Sequence, residues 1–330
     1  MKSNQQHSLS QKDFEIIESI GSGTFSNVYH AIHIATGTHV ALKKLFWNNS
    51  PDRIVNEVRW FLHIDHPNIV KALALFREDD QATVVFEYVE HTQFRQLLPI
   101  MKNDIIKDYL RGLLSALDYA HKQRIIHRDI KPANYLFSEK TRHGCLIDFG
   151  LSEENLHIEA QIGKNNNEND IVVEENDFEL NYPEQCQQRP KMVANRAGTR
   201  GFRAPEVLMS AFNQSALIDI WSAGVILLSI LSRRYPFFKS PDDLTALCEI
   251  SVIFGTKKLH ETARECGRKI KFPKEIEPLN LKELCYKLNA YIDELEVDDS
   301  VFDLLEKMLE PQPSKRISAE EALRHPFLSA

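Results

Sequence analysis

His127-Arg128-Asp129-Ile130-Lys131-Pro132-Ala133-Asn134, followed by Asp148-Phe149-Gly150 and then Ala204-Pro205-Glu206, decides how this chain is read. Any one of these stretches could arise by chance. In this order they place an acid/base carboxylate (Asp129), a neighbouring cation (Lys131) and two oxygen-bearing side chains (Asn134, Asp148) along one chain. Asp and Asn suit a hard cation such as Mg²⁺, which prefers oxygen ligands. The set fits phosphoryl transfer, where positioning and charge stabilisation supply most of the catalysis.

Working outward, 330 residues with 43% hydrophobic content can bury a large core, as one big domain or two lobes. The net charge of -7 is uneven. Ten acidic residues between Glu153 and Arg189 face only Lys164 and Arg189, so that segment carries -8 and the remainder +1. Bulk electrostatic binding to nucleic acid is thereby excluded. The cysteines (Cys145, Cys186, Cys248, Cys266, Cys285) are scattered and form no C-x-x-C pair, which argues against a disulfide framework or a structural zinc site. With no apolar run of membrane-spanning length and a polar start, a soluble intracellular protein is expected.

Residues 14–85 alternate apolar and polar side chains, with glycine-bearing turns at 21–23 and 37, and read as strand-rich. One helix interrupts them: Ser50 is its N-cap, Pro51 its first position, and Ile54, Val58 and Phe61 its buried face. Beyond a short strand in ATVVFEYV (82–89) the chain turns helical, with a stripe at Ile106, Leu110, Leu113, Leu114 and Leu117. Further helices are expected around 221–231, 244–254 and 301–309. The stretch GKNNNENDIVVEENDFELNYPEQCQQRP (163–190) is rich in Asn, Glu and Gln and reads as a loosely packed acidic insertion.

Gly21-Ser22-Gly23-Thr24-Phe25-Ser26-Asn27-Val28 lies between two strand patterns and opens no helix, unlike a dinucleotide fingerprint. Its small residues let backbone N–H groups approach phosphates closely, and Phe25 at the tip would close over them. Ala41 and Lys43 share one face of a strand by the two-residue period. Lys43 needs a counter-ion, and Glu57, on the inward face of its helix, is the candidate. His127 is expected to be a packed structural residue.

These motifs make the chain resemble eukaryotic protein kinases from about Phe14 to Phe327, with Lys131 pointing to the Ser/Thr branch. GSGTFSNVYHA (21–31), EHTQF (90–94), RAGTRGFRAPEVL (196–208), DIWSAGVILLSILSRRYPFFKSPDDLTAL (219–247) and RISAEEALRHPF (316–327) are similar to the cell-division-cycle seven kinases, catalytic subunits of the DDK replication-initiation kinase. The resemblance implies an α+β, bilobal fold. A β-rich N-lobe with one key helix (14–86) would lead through a hinge (87–89) to a mainly helical C-lobe (90–327). Short tails would cover 1–13 and 328–330, and the acidic insertion about 153–190. It implies ATP and Mg²⁺ as cofactors. Ile20, the loop from Gly21 to Ser26, Val28, Ala41, Lys43, Phe86, Glu87, Val89 and Leu136 would surround the nucleotide, with Asn134 and Asp148 on the metal. Asp129, Lys131 and Thr199 would be catalytic, Glu206 would pair with Arg316, and Asp219 would brace the catalytic loop. It further implies a nuclear enzyme that phosphorylates the MCM helicase and needs an activator subunit.

The chain departs from that family at Arg200, where Pro is typical, and lacks the family's very long insertions. From Glu153 to Gly198 there is no Ser or Thr, so phosphorylation of that segment, whose phosphate would pair with Arg128, has no acceptor there. A protein partner ordering the Glu57 helix and the loop is the expected switch, with intrinsic activity as the competing idea. Arg196, Arg200 and Arg203 suit carboxylate or phosphate, so sites followed by an acidic or phosphorylated residue are expected, unless these arginines pair with scaffold carboxylates. Two alternatives stand beside this reading: an acidophilic signalling kinase of another family, and an ATP-binding pseudokinase scaffold. Intact Lys43, Asp129, Asn134 and Asp148 oppose the scaffold.

Overall fold

A computed structural model describes residues 9–23, 26–46, 59–60, 64–78, 81–155, 197–212 and 214–329. β1 (Phe14–Ser22), β2 (Ser26–His33), β3 (Thr38–Leu45), β4 (Ala72–Glu78) and β5 (Gln81–Glu87) form one antiparallel sheet in the order β1-β2-β3-β5-β4. Because side chains alternate along each strand, the sheet has two distinct faces. Phe14, Ala31, Val40, Leu42, Phe76 and Val85 make a small core on one. The register sets Gly21 beside Val28, Val28 beside Lys43, and Ala41 beside Phe86. Directly opposite residues share a face, so these line the other side, toward the cleft. The helix expected from Ser50-Pro51, with Ile54, Glu57, Val58 and Phe61, lies outside the described residues; residues 59–60 are helical.

The remainder is mainly helical, giving the α+β class expected from sequence. After α1 (Phe94–Leu97), α2 (Asn103–Lys122) buries a full stripe that includes Ile106, Leu110, Leu113, Leu114 and Leu117. Four short strands follow: β6 (Ile125–Ile126), β7 (Tyr135–Ser138), β8 (His143–Leu146) and β9 (Glu153–Glu154). They pair as β6-β9 and β7-β8, which fixes both ends of the 127–134 and 147–152 loops. Val70 N–H donates to Leu146 O (3.0 Å) and Leu146 N–H to Asn68 O (2.7 Å), tying the N-terminal region to β8.

α3 (Pro205–Leu208) precedes α4 (Leu217–Ser232), which is buried on all sides from Ile218 to Ser232. Such a helix can carry serines because each hydroxyl bonds back one turn: Ser229 Oγ donates to Val225 O (2.8 Å) and Ser232 Oγ to Leu228 O (2.6 Å). Then come α5 (Asp243–Phe254), α6 (Thr256–Glu265), α7 (Leu281–Leu288), α8 (Ser300–Met308), α9 (Ala319–Leu323) and α10 (Pro326–Ser329); α7 and α8 pack against α4, and α9 and α10 against α2. Among the described residues no helix is long and apolar enough to cross a membrane.

Candidate active site

Between β6 and β7 the chain passes through the 127–134 loop, and Asp219 on α4 holds that loop from below. Its Oδ2 accepts the His127 backbone N–H and its Oδ1 that of Arg128, both at 2.8 Å. His121 Nε2 lies 3.0 Å from Oδ2. Complete burial alone would raise the Asp219 carboxyl. The His121 hydrogen bond and charge, with His127 behind them, outweigh that and hold it below its ordinary 3.8. His127, fully buried, donates from Nε2 to Ile147 O (3.0 Å), so its Nδ1 is the acceptor for Asp129 N–H (3.3 Å). Its ring meets Phe149 edge-on at 4.8 Å. His127 thus joins the loop to Asp148-Phe149-Gly150, a structural role.

Asp129 is the centre of the site. Thr199 donates to Asp129 Oδ1 from both its N–H (2.8 Å) and its hydroxyl (2.6 Å). Lys131 Nζ lies 2.7 Å from Asp129 Oδ2 and 2.8 Å from Thr199 Oγ1. Asn134 Nδ2 donates to Asp129 O (2.8 Å) and Oδ2 (3.0 Å). The Asn134 nitrogen must face these two acceptors, which leaves its carbonyl oxygen to ligate a cation. Thr199 reaches this position because Gly198 passes hard against the catalytic loop at φ +106, where a Cβ would stand 2.5 Å from Arg128 O. Gly201, at φ +86, passes equally close to the segment after α4, where a Cβ would stand 2.7 Å from Phe238 O.

Lys43 comes down from β3 to meet Asp148 Oδ1 at 2.8 Å. Burial alone would raise the Asp148 carboxyl; the Lys43 charge and hydrogen bond outweigh it and hold it below 3.8. Asp148 is therefore an anion at neutral pH, with the left-handed backbone (φ 65) that turns it into the cleft. Asp148 and Asn134 fit a hard divalent cation, which needs only one or two side chains when phosphate oxygens complete its shell.

The expected nucleotide residues that the structure describes lie on and between β1 and β2, on β3 and β5, on the stretch after β5, and on β7. Gly21 and Ser22 end β1 and pair with Val28 and Asn27, and Gly23 N–H donates to Ser26 O (2.9 Å). Ile20 is exposed on β1, while Ala41, Val89 and Leu136 are half-buried and Phe86 is buried. Glu87 ends β5, its N–H donating to Lys71 O (3.1 Å); Val89 O takes a hydrogen bond from His91 Nδ1 (3.0 Å). Thr24, Phe25, Glu57 and Arg196 lie outside the described residues.

Below the cleft, Arg203 donates from Nη1 to Asp243 Oδ1 and from Nε to Gly198 O, each at 2.9 Å. Arg200 is exposed, with its Nη1 on Pro241 O (2.5 Å). Glu206 and Arg316 form the expected buried pair, bidentate at 2.7 and 3.0 Å. Arg316 also donates to the carbonyls of Glu310, Pro311 and Leu217. Sequence reading missed three partners of the catalytic loop: His121 on Asp219, and Glu153 and Gln214 on Arg128. No local pattern marks them. They meet their targets only through the chain's path.

The protein kinase domain family matches residues 14–328. Among curated proteins, the chain is 38% identical to probable cell division control protein 7 homolog 2 of Encephalitozoon cuniculi, covering 94% of this chain and 90% of that one. It is 36% identical to the cell cycle serine/threonine-protein kinase hsk1 of Schizosaccharomyces pombe, covering 96% and 73%. With the human cell division cycle 7-related protein kinase the identity is 25%, covering 95% and 89%. With that match and an intact transfer site, the chain belongs to the protein kinase family, in its cell division control protein 7 branch, and is a DDK-type serine/threonine kinase that uses ATP and a divalent metal.

Proposed function

We propose that this kinase acts in replication initiation, in the nucleus, on the N-terminal tails of MCM helicase subunits, with Mg²⁺ as its metal and a regulatory activator subunit as its switch. The observation that carries the catalytic part is the closed network of Asp129, Lys131, Thr199 and Asn134. Asp129 takes the proton of the attacking Ser or Thr hydroxyl or orients that hydroxyl, and Thr199 and Asn134 keep its carboxylate from rotating. Lys131 neutralises charge that builds on the transferring phosphoryl group. Lys43 reaches the α/β-phosphates from above, and Asp148 and Asn134 hold the metal, which supplies charge neutralisation on the phosphate oxygens when bound. Gly21 to Ser26 and Val28 cover the phosphates. Ala41, Phe86, Leu136 and Ile20 enclose the base, and backbone groups of Glu87 and Val89 meet its edge. Glu57 is the counter-ion of Lys43 once its helix is in place.

The activator orders that helix and the acidic segment, since the segment offers no Ser or Thr acceptor. Arg200, exposed beside Thr199, with Arg196 upstream, favours sites followed by Asp, Glu or a phosphorylated residue; Arg203 contributes through its hold on Asp243. The deciding experiment is radiolabelled phosphate transfer to an MCM N-terminal tail and to a generic acidic peptide. Wild type and Asp129→Asn are each run alone and with a candidate activator. Asp129→Asn should lower kcat by about 10²- to 10⁴-fold, the usual contribution of a general acid/base. Full wild-type turnover without the activator would remove the partner switch, and a basic or proline-directed preference on a peptide array would remove the acidic one.

A further inference from the structure

Arg128 precedes Asp129, and its surroundings assign a role to two residues outside the transfer site. Its backbone is left-handed (φ 69) and its guanidinium is buried. Nη1 donates to Gln214 Oε1 (2.7 Å), and Nη2 lies 2.6 Å from Glu153 Oε2. Its buried Nε has no acceptor among the described residues. A guanidinium withdrawn from water is costly without a counter-charge. Glu153 supplies it. That glutamate is fixed by strand pairing, Glu153 opposite Ile126 and Glu154 opposite Ile125. Side chains alternate along a strand, so the neighbouring carboxylate points elsewhere: Glu154 Oε2 lies 4.0 Å from Arg59 Nη2. Residues 59–60 are helical, on the segment that precedes β4. Two adjacent carboxylates therefore address one arginine of the catalytic loop and one on a helix of the other lobe.

Kinase activation segments are commonly ordered by a phosphate that pairs with such arginines. A phosphoryl group carries about -1.5 to -2 at neutral pH, which two carboxylates match. Between Glu153 and Gly198 the sequence has no Ser or Thr, and Tyr182 is its only hydroxyl side chain. We propose that Glu153-Glu154 is a built-in counterpart of the activating phosphate. Glu153 is a positioning residue: it holds Arg128, and through it the loop carrying Asp129, in the transfer-competent arrangement. Glu154 draws the helix of Arg59 toward β9. The inference rests on the reading of Asp129 as the acid/base group, and the test keeps the two apart.

The measurement is steady-state kinetics of the full chain on an acidic peptide, with activator if turnover requires it. Phosphatase-treated wild type should keep its kcat. Glu153→Gln should lose about tenfold or more in kcat with little change in the KM for ATP, a loss confined to the transition state. Glu153→Asp should recover most of that activity. Sulfate should partly restore Glu153→Ala, by refilling the anion position at Arg128, and leave Glu153→Gln unchanged. Glu154→Gln, losing only an exposed pair, should cost at most about fivefold. Wild-type kcat in Glu153→Gln, or loss of wild-type activity on phosphatase treatment, would overturn the proposal. So would a loss in Glu153→Ala that tracks a lowered melting temperature and responds to neither Asp nor sulfate. Asp129→Asn run in parallel should show the loss of about 10²- to 10⁴-fold expected of a general acid/base; if it turned over normally, the site reading itself would fall, whatever Glu153 did.

Discussion

At the scale of single residues, Asp129 is held by four donors from three residues, and the contact most sensitive to backbone is Thr199. Gly198 makes it possible, because any side chain there would meet both a positive φ and the Arg128 carbonyl at 2.5 Å. Gly198→Ala should push Thr199 off the carboxylate and lower kcat by up to about 10²-fold, with nucleotide affinity preserved. Single-turnover kinetics beside nucleotide titration would separate the two. Asp219 makes a pH prediction. Its folded carboxyl sits below 3.8, so it contributes stability that is present above 3.8 and lost as the pH falls below it. In urea unfolding across an acidic pH series, wild type should weaken below 3.8. Asp219→Asn should be less stable at neutral pH and show a shallower acid slope.

At the scale of elements, the Glu206–Arg316 pair anchors the short helix α3 to the region just before α9. Four residues cannot make a stable helix alone. α3 persists because Glu206 and Arg316, both almost fully buried, tie it to α4 through Leu217 O and to the 310–311 turn. Arg316→Ala would leave a buried carboxylate unpaired, at a cost of about 3–5 kcal/mol. Denaturant unfolding should register that loss, and because α3 carries the end of the 197–206 segment, peptide KM should rise with it. The same reasoning explains α4. Its near-continuous apolar run looks like a membrane span in composition, but it is only 16 residues long, and Ser229 and Ser232 satisfy their hydroxyls within it.

At the scale of the molecule, the Lys43–Asp148 contact is where the sheet and the helical body meet in the cleft. Asp148 is ionised at neutral pH, and Asn134 spends its amide nitrogen on Asp129, which leaves its oxygen for a cation, so nucleotide and metal should stabilise the two lobes as one unit. ADP with Mg²⁺ at a hundred times its Kd should add about 2.7 kcal/mol to unfolding stability. Asp148→Asn should abolish the metal-dependent share of that gain and keep the part due to nucleotide alone. Thermal unfolding with ADP, with and without Mg²⁺, reads both. An equal metal-dependent gain in the variant would remove Asp148 from the metal.

The sequence alone determined the fold class and marked out Asp129, Lys131, Asn134 and Thr199, and Lys43 and Asp148, which the structure joins by hydrogen bonds and an ion pair. Phosphoryl-transfer chemistry restricts residue type at positions a few apart, as in 127–134 and 148–150, and strand and helix periods are local. Glu206 with Arg316, and Asp219 beneath the loop, were legible because they sit inside recognisable stretches. Only the tertiary structure decided which of ten acidic residues in the -8 segment meets Arg128, that Gln214 and His121 complete the loop's support, and that Arg203 turns to Asp243. Those pairings join residues from 25 to 98 positions apart. At such separations the partner of a charge is set by the path of the chain and the burial it imposes, and neither is written in the residues beside it.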